Sequence, residues 1–303
     1  MNEKLQILEV DRDRVRFCLR KTEKDACDYI VAVKKWCRLQ KHLPEKPSDE
    51  LIESFLVTNR FLVERTKEKL DMYYTIRSLL PECFRNKNPK LPNMKEIAKV
   101  VYYCPLPKMT NELCRVNIVK IIGEPESFDA YDCFGHQMNI NEIRLHEEIN
   151  LGDILIIDFA NVKAGHVVKF TPVHMRKASI IIEKVFSNRI KGIHIINAPA
   201  YVEPVISVLK SFLKQKLLNR IHVHSSQKLL LNHISSDVLP KDYGGKEMPL
   251  EELNDLWLKK LEEYQERFDK LDTLRVNEQL RPTPLKNDDI LGYHGNFQKL
   301  DVD

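Results

Sequence analysis

The N-terminal part of the chain carries apolar residues at helical spacing. Between residues 25 and 47 they recur three or four positions apart, and two prolines end the pattern. A second helical pattern runs from 48 to 81, with Ser48 as a candidate N-cap followed by acidic residues in the first turn. We expect this pattern to break near residues 58–59 into two helices. The spacing therefore predicts an all-helical N-terminal lobe over residues 1–92.

After a polar, proline-containing linker at residues 86–93, the pattern changes to alternating strands and helices. The run at 153–160 is almost wholly apolar, which is typical of a strand buried on both faces. This alternation predicts an α/β domain over residues 93–260 with a mainly parallel sheet. We expect residues 261–303 to form the end of a charged closing helix and a surface tail. The predicted strands are 114–122, 153–160, 191–197 and 220–224, and the predicted helices between them are 128–148, 170–186 and 201–218.

The composition is that of a folded protein rather than a disordered one. Of the 303 residues, 43% are hydrophobic and 30% are charged, which is enough to bury a sizeable core. The N-terminus is charged and lacks the apolar stretch of a secretory signal, and no run approaches the roughly 18 apolar residues of a membrane-spanning helix. The seven cysteines are scattered and never spaced Cys-x-x-Cys. We therefore expect free thiols and a cytoplasmic protein.

Common enzyme motifs are missing from the sequence. No strand is followed by Gly-x-Gly-x-x-Gly, and no Gly-x-Ser-x-Gly segment occurs. Gly244, Gly245 and Lys246 begin like a phosphate-binding loop, but no Ser or Thr follows the lysine. Residues 146–150 (HEEIN) have asparagine where a zinc protease needs its second histidine. The sequence therefore predicts neither an enzyme nor a bound cofactor.

Two features leave chemical alternatives open. His222 and His224 share one face of a predicted strand, so they could form a metal pair or be hydrogen-bonded structural histidines, and we favour the structural role. Asp158 ends an apolar strand and could act as a catalytic acid or cap the end of the sheet. Because no partner for catalysis is evident in the sequence, the sheet-end role is favoured and no metal is predicted.

Basic residues are concentrated between positions 188 and 220. This stretch holds six Lys or Arg residues and Glu203 as its one acidic residue, so its charge of +5 exceeds the +4 of the whole chain. A local basic patch on an otherwise balanced protein suggests an anionic surface as partner.

The predicted helix within this basic stretch is apolar around most of its circumference. Apolar positions cover far more than the roughly 100° stripe that packing on a sheet requires, and Lys210 and Lys214 lie on the remaining ridge. Another core helix, a bound apolar ligand or a bilayer interface could cover such a helix. The one-signed ridge favours an interfacial position.

Four segments carry a resemblance to a known family. They are DILIIDFANVKAGHVVKFTP (153–172), GIHIINAPAYVEPVISVLKSFL (192–213), RIHVHSS (220–226) and VLPKDYGG (238–245). Taken in order and spacing, they resemble the CRAL-TRIO lipid-transfer family, in the branch of alpha-tocopherol transfer protein and cellular retinaldehyde-binding protein and in its divergent insect form. The similarity runs from about residue 48 to 260 and is strongest between 150 and 245.

The resemblance implies a helical lobe followed by an α/β lobe whose sheet floors a hydrophobic pocket. A helix at 201–216 would be the lid, opening at a membrane. The implied lining residues are Ile157, Phe170, Ile181, Ile182, Phe186, Ile193, Val208, Leu209, Phe212 and Leu213. With the basic patch, the resemblance also implies phosphoinositide or membrane contacts at Arg189, Lys191, Lys210, Lys216 and Arg220. Family arginines of the helical lobe align loosely with Val57 and Glu68, which weakens the phosphoinositide prediction.

The resulting prediction is a non-enzymatic monomer that carries a small hydrophobic ligand between membranes. Tocopherol, retinoids and carotenoids fit an aliphatic lining, and lid opening at anionic membranes implies transient membrane association. Phosphoinositides are expected partners, whereas nucleic acids are not. The main alternative is phosphatidylinositol or phospholipid exchange, or phosphoinositide sensing. A nucleotide-using α/β enzyme and a scaffold with a filled pocket are the remaining alternatives.

Overall fold

The computed structural model describes residues 5–186, 189–203, 206–207, 210 and 215–285. Helices fill the described part up to residue 100, as predicted. The expected break is confirmed, because α3 ends at Thr58 and α4 begins at Val63. Ser48 caps α3, its Oγ accepting a hydrogen bond from the Leu51 amide at 3.2 Å. The helices are α1 (Arg12–Cys18), α2 (Glu23–Leu39), α3 (Asp49–Thr58), α4 (Val63–Leu79), α5 (Pro81–Phe84) and α6 (Pro92–Val100).

A five-stranded sheet with the strand order β1-β2-β3-β4-β5 follows. Strand β1 is antiparallel to β2, and the other neighbours are parallel, which confirms the mainly parallel α/β prediction. The strands are β1 (Val101–Met109), β2 (Cys114–Ile121), β3 (Gly152–Asp158), β4 (Ile190–Ile196) and β5 (Ile221–Val223). The helices around them are α7 (Ala130–Glu147), α8 (Ala164–Val167), α9 (Pro172–Lys184), α10 (Gln215–Leu218), α11 (Leu250–Glu263) and α12 (Gln265–Thr273).

Three elements differ from the pattern-based prediction. Strand β1 was not predicted, and its two prolines are unusual inside a sheet. They are tolerated because β1 is the edge strand, and its register with β2 shifts after Pro105. Helix α6 begins at Pro92, inside the predicted linker, because proline is favourable in the first turn of a helix. The closing helix is two helices that meet at Tyr264.

The buried apolar residues form two clusters. The main core lies between the helical lobe, α7, α11 and one face of the sheet, and the Trp257 indole there donates to the carbonyl of Pro105 at 3.0 Å. The second cluster, which we call the sheet-face cluster, covers the other face. Its buried members are Met94, Ile97, Val100, Val101, Ile121, Phe128, Ala130, Cys133, Val162, Ile193, Ile195, Val202 and Ile206.

A buried carboxylate connects three helices of the main core. Glu142 of α7 is 1% exposed and accepts a hydrogen bond from the Tyr73 hydroxyl at 2.6 Å. The same carboxylate receives the Arg77 guanidinium of α4 at 2.9 Å and the Arg267 guanidinium of α12 at 3.0 Å. We call these four residues the Glu142 network. Its charges are taken out of water, so each depends on the others for compensation.

The two ends of the described chain each cross to the other lobe. At the N-terminal end, the amide of Glu9 donates to the carbonyl of Pro107 in β1 at 2.9 Å, and Arg115 of β2 donates to the Glu9 carbonyl at 2.9 Å. At the other end, Arg281 pairs with Asp71 of α4 at 2.6 Å. The amide of Asn277 donates to the His42 carbonyl at 3.0 Å.

Two adjacent glycines close the turn after the sheet for different reasons. Gly244 has φ +77° and room for a methyl group, whereas a Cβ on Gly245 would lie 1.8 Å from the carbonyl oxygen of Leu239. We expect Gly245→Ala to lower the free energy of unfolding by about 2 kcal/mol, because the backbone must move. The control Gly244→Ala should cost about 1 kcal/mol through its left-handed backbone alone. Urea denaturation measures both, and equal losses would contradict the clash.

Candidate functional site

The three consecutive parallel strands β3, β4 and β5 present one apolar face. Leu155 lies beside Ile193 in the register, Ile157 lies beside Ile195, and Ile193 lies beside Ile221. Because side chains alternate along a strand, these residues share a face. All belong to the sheet-face cluster, where Leu155, Ile157 and Ile221 are half-buried. The result is a continuous aliphatic floor.

Aromatic and aliphatic residues from the following loops and helices stand over this floor. Phe170 precedes α9 and packs against Phe128, with ring centroids 5.2 Å apart. Val202 and Ile206 are buried in the same cluster, and Leu217 of α10 is half-buried against it. The turn after β4 is held by the Tyr201 hydroxyl, which donates to the Val162 carbonyl.

Apolar side chains beside the floor are exposed to solvent. Val168 is 75% exposed, Val173 56% and Tyr201 48%. They come from the α8–α9 connection, the first turn of α9 and the turn after β4. We call these three exposed residues the apolar rim.

The predicted lining residues fall into different surroundings. Ile157, Phe170 and Ile193 lie in the sheet-face cluster. Ile181 and Phe186 are buried in the main core on the other side, and Ile182 on α9 is 45% exposed. The remaining four, Val208, Leu209, Phe212 and Leu213, lie outside the described residues.

The predicted basic residues surround the ends of β4 and β5. Arg189 immediately precedes β4, and Arg220 immediately precedes β5, where its guanidinium donates to the Ile190 carbonyl. Lys191, Lys210 and Lys216 are exposed. Gly152 leaves room for Lys191, since a Cβ there would lie 2.6 Å from the lysine Cγ.

Two arginines of the helical lobe join this group, which sequence reasoning missed. Burial lowers the pKa of Arg189, and the positive charges of Arg60, Arg220 and Arg65 lower it further. The loose alignment had pointed to Val57, which is buried in the main core, and to Glu68. We call Arg60, Arg65, Arg189, Lys191, Lys216 and Arg220 the basic surface.

The local backbone explains how Arg60 reaches the basic surface. Arg60 and Phe61 both have φ 57°, so the chain reverses directly after α3. The Phe61 amide closes the turn on the Leu56 carbonyl at 2.7 Å, and its side chain is buried while Arg60 is exposed. The predicted helix break at residues 58–59 was the one sequence signal near Arg60. It did not indicate in which direction the Arg60 side chain would extend.

A small polar cleft of about 30 Å³ lies beside Arg189, between α3, α7 and the start of β3. Arg144 lines it and pairs with Glu148 and Asp153, each at 2.5 Å. Burial would raise the pKa of Glu148, but the charges of Arg115 and Arg144 lower it. Asp153 is likewise buried, so these charges are fixed beneath the basic surface as a compensated group.

Asp158 serves the end of the sheet. It is buried and accepts hydrogen bonds from Asn197 at 2.8 Å, from the Tyr243 hydroxyl at 3.0 Å and from the Ala160 amide at 3.0 Å. These bonds tie the loops after β3 and β4 to the turn that contains Tyr243. The favoured sheet-end interpretation agrees with this arrangement.

The comparisons with known proteins identify the family. A family model described as CRAL/TRIO domain matches residues 98–245, and one described as Pinta-like, UBA domain matches residues 22–94. This chain is a member of the CRAL-TRIO family. The CRAL-TRIO match covers all five strands of the sheet. The family model and the sheet therefore describe the same unit.

Curated relatives agree with this CRAL-TRIO assignment. Human alpha-tocopherol transfer protein-like is 26% identical over 201 residues, which cover 65% of this chain and 58% of the relative. Clavesin-1 of Xenopus laevis is 26% identical over 205 residues, covering 66% of this chain and 61% of the relative. Human clavesin-2 is 35% identical over 95 residues, covering 31% and 29%. The chain thus aligns with about three fifths of the length of the first two.

A solved structure shares the CRAL-TRIO fold of this chain. The crystal structure of Sfh5 superposes with a TM-score of 0.50 at 13% identity, covering 86% of this chain and all of that one. At this identity the likeness concerns the fold alone. In the described part of the CRAL-TRIO chain, no helix is long and apolar enough to cross a bilayer.

Proposed function

We propose that this CRAL-TRIO chain binds a small hydrophobic molecule over the β3–β5 floor and transfers it between membranes. Tocopherol-like, retinoid-like and carotenoid-like lipids are the candidate ligands. The observation that carries the proposal is the continuous aliphatic floor, whose half-buried side chains share a cluster with Val202, Ile206 and Leu217. Membership of the family and the names of the tocopherol-transfer-like relatives support it.

Burial of a small lipid on this floor would give useful affinity. Burying roughly 400 Å² of ligand surface at about 25 cal/mol per Å² yields on the order of 10 kcal/mol. Lost ligand freedom and ordering of the lid reduce this amount. Release into water from such a site is slow, so opening at a membrane is a useful step for transfer.

The basic surface and the apolar rim support docking of the protein to an anionic membrane through these residues. Lys191 and Lys216 are exposed and would meet lipid phosphates, while Val168, Val173 and Tyr201 would enter the interface. Docking would therefore bring the 200–218 segment to the bilayer. No covalent chemistry is needed, and the proposed location is cytosolic with transient membrane association.

One observation favours the alternative of phosphatidylinositol exchange or phosphoinositide sensing. Arg60, Arg65 and Arg220 act on Arg189 through their positive charges, and Arg189 lines a small polar cleft. Guanidinium groups bind phosphate in a bidentate manner, and a group of four could hold a lipid headgroup. The two functions differ in what fills the apolar site.

Loading the purified chain from vesicles tests the proposal. The vesicles contain α-tocopherol, retinaldehyde and phosphatidylinositol, and native mass spectrometry identifies what the protein extracts. We expect Ile157→Asn to reduce extraction of the apolar ligand about 5- to 150-fold, because an unpartnered amide facing that ligand costs about 1 to 3 kcal/mol.

The control Val31→Asn alters an exposed valine on α2 and should extract normally. Thermal melting confirms that both variants fold. Extraction of phosphatidylinositol alone would favour the alternative, and extraction unaffected by Ile157→Asn would contradict a site on the floor.

A further inference from the structure

Four histidines form a cluster on the sheet face opposite the apolar floor. His194 lies on β4 between Ile193 and Ile195, His222 lies on β5, and His224 and His233 follow it. Every pair of the four rings has its centroids 5.0 to 6.4 Å apart. The His194 Nδ1 and His224 Nε2 atoms share a hydrogen bond of 2.9 Å, and their rings are within 4° of parallel.

We propose that these four histidines are a proton-operated latch that holds β5 and the turn after it against β4. When the rings are neutral, the His194–His224 bond and the ring stacking close the latch. When a second proton binds, like charges face each other and the bond loses its acceptor, so the latch opens. The cluster then acts as a pH-sensitive control on the edge of the sheet.

The strand that the latch holds is weakly attached. Strand β5 has three residues and, among the described strands, pairs only with β4. Within it, Ile221 is half-buried and Val223 is 57% exposed. Two backbone hydrogen bonds flank the pairing, from Ile193 to the Arg220 carbonyl at 2.8 Å and from His224 to the Ile195 carbonyl at 2.9 Å. Short edge strands of this kind open readily, so side-chain contacts decide their stability.

The charged neighbours of the cluster are engaged elsewhere. Asp158 of β3 shares the face of His194 but is bound by Tyr243 and Asn197. Asp242, on the turn that contacts residues 227–232, accepts the amide of Leu250 at 2.8 Å. Lys228 in that turn is exposed and cannot neutralise an imidazolium.

Proton binding in the cluster is therefore opposed by the histidines themselves. Burial lowers the pKa of His194 to about 4, assisted by the positive charges of His224, His233 and His222. Burial and the charges of His233 and His222 also lower the pKa of His224. Both pKa values lie below that of a free histidine. The stabilisation is thus complete above about pH 6.5 and is lost as the pH falls from there towards 4.

The geometry fits proton binding better than metal binding. Among the described residues, no group of three or more His, Cys, Asp or Glu side chains is arranged to hold a metal ion. The His194 and His224 nitrogens at 2.9 Å are also closer than the roughly 3.3 Å between two nitrogens on one tetrahedral zinc ion. A shared hydrogen bond accounts for their separation.

Opening of the latch would affect the candidate site because β5 is connected directly to a helix of that site. Helix α10 ends at Leu218, and Asn219 and Arg220 connect it directly to β5. An anionic membrane at about −30 mV lowers the local pH by roughly half a unit. This last step rests on the proposed function, whereas the latch itself does not.

Amide hydrogen exchange of the full chain, without lipid and with a chelator present, tests the latch. At pH 5.5 a free histidine is protonated about ten to one. After correction for intrinsic rates, we expect protection of residues 221–224 to fall by up to about tenfold relative to β2 between pH 7.5 and 5.5. The double variant His194→Asn/His224→Gln replaces the imidazole pair with neutral amides, so its protection should change little. An equal fall in both proteins, or no selective fall in the unaltered chain, would overturn the latch.

An NMR titration and the addition of vesicles test the latch and its link to membranes separately. In an NMR titration of the unaltered, histidine-labelled chain, with the His194 and His224 signals assigned through the double variant, both imidazoles should show pKa values below the ordinary 6.5. Ordinary values for both would refute the latch. Adding phosphatidylserine vesicles should shift the opening to higher pH. If the latch opens normally in solution but vesicles have no effect, the membrane function fails and the latch stands.

Discussion

Glu142→Gln should lower the free energy of unfolding by about 3 to 5 kcal/mol. The substitution removes the negative charge of the Glu142 network while Arg77 and Arg267 stay in place. Arg77 then loses its carboxylate partner, whereas Arg267 keeps Glu45. A buried cation that loses its partner keeps its desolvation penalty without compensation, which is why the loss is large. Urea denaturation followed by circular dichroism measures the change.

The matched control is Glu64→Gln in the exposed Glu64–Lys67 pair. Glu64 has 81% of its side chain exposed, and exposed ion pairs contribute at most about 1 kcal/mol. Burial would raise the pKa of Glu142, but His146 and the charges of Arg77 and Arg267 lower it below its ordinary 4.5. The stabilisation is therefore present above pH 4.5 and is lost as the pH falls below it. Equal losses in the two variants, or no difference in their acid sensitivity, would contradict this role.

Reversing Lys191 and Lys216 together to glutamate should weaken binding to anionic vesicles about 30- to 1000-fold. Each basic residue near an anionic leaflet contributes about 1 kcal/mol, and reversal both removes this and adds repulsion. The sum of about 2 to 4 kcal/mol corresponds to that range. We chose these two lysines because they are exposed, whereas the Arg220 guanidinium donates a hydrogen bond to the Ile190 carbonyl. Sedimentation with phosphatidylserine vesicles measures the binding.

A control with the same change in net charge separates the basic surface from general electrostatics. Lys35 lies exposed on α2 and Lys259 lies exposed on α11, which packs against β1 at the opposite edge of the sheet. Reversing the charges of this pair should leave most of the vesicle binding intact. Added salt should weaken the vesicle binding of the unaltered chain more than that of the Lys191/Lys216 variant. Similar losses in both double variants would argue against a defined docking surface. Extraction of apolar ligand in detergent should be unchanged in both.

Local patterns predicted most of the fold because helices and buried strands impose a period on the sequence. The break before Val63, the cap at Ser48 and the parallel sheet all follow from residues close together in the chain. Strand β1 escaped because Pro105 interrupts the pattern, and its edge position is a property of the whole sheet.

The candidate site was less accessible to sequence reasoning because it is assembled over long distances. Arg60 approaches Arg189 only when the turn after α3 meets the start of β4 in the folded chain. The local sequence of one segment does not predict the position of the other. The histidines show the same limit. Alternation placed His222 and His224 on one face, but parallel register was needed to bring His194 to them.

The crossing of the chain ends limits how modular each lobe can be. Glu9 belongs by sequence to the helical lobe but bonds to the sheet, and Arg281 follows the sheet domain but pairs with Asp71 of the helical lobe. The two family models, over 22–94 and 98–245, leave out both of these residues. A recombination event at those bounds would transplant each lobe without the segment that fastens it to its neighbour. The two lobes are therefore inherited most safely as one piece.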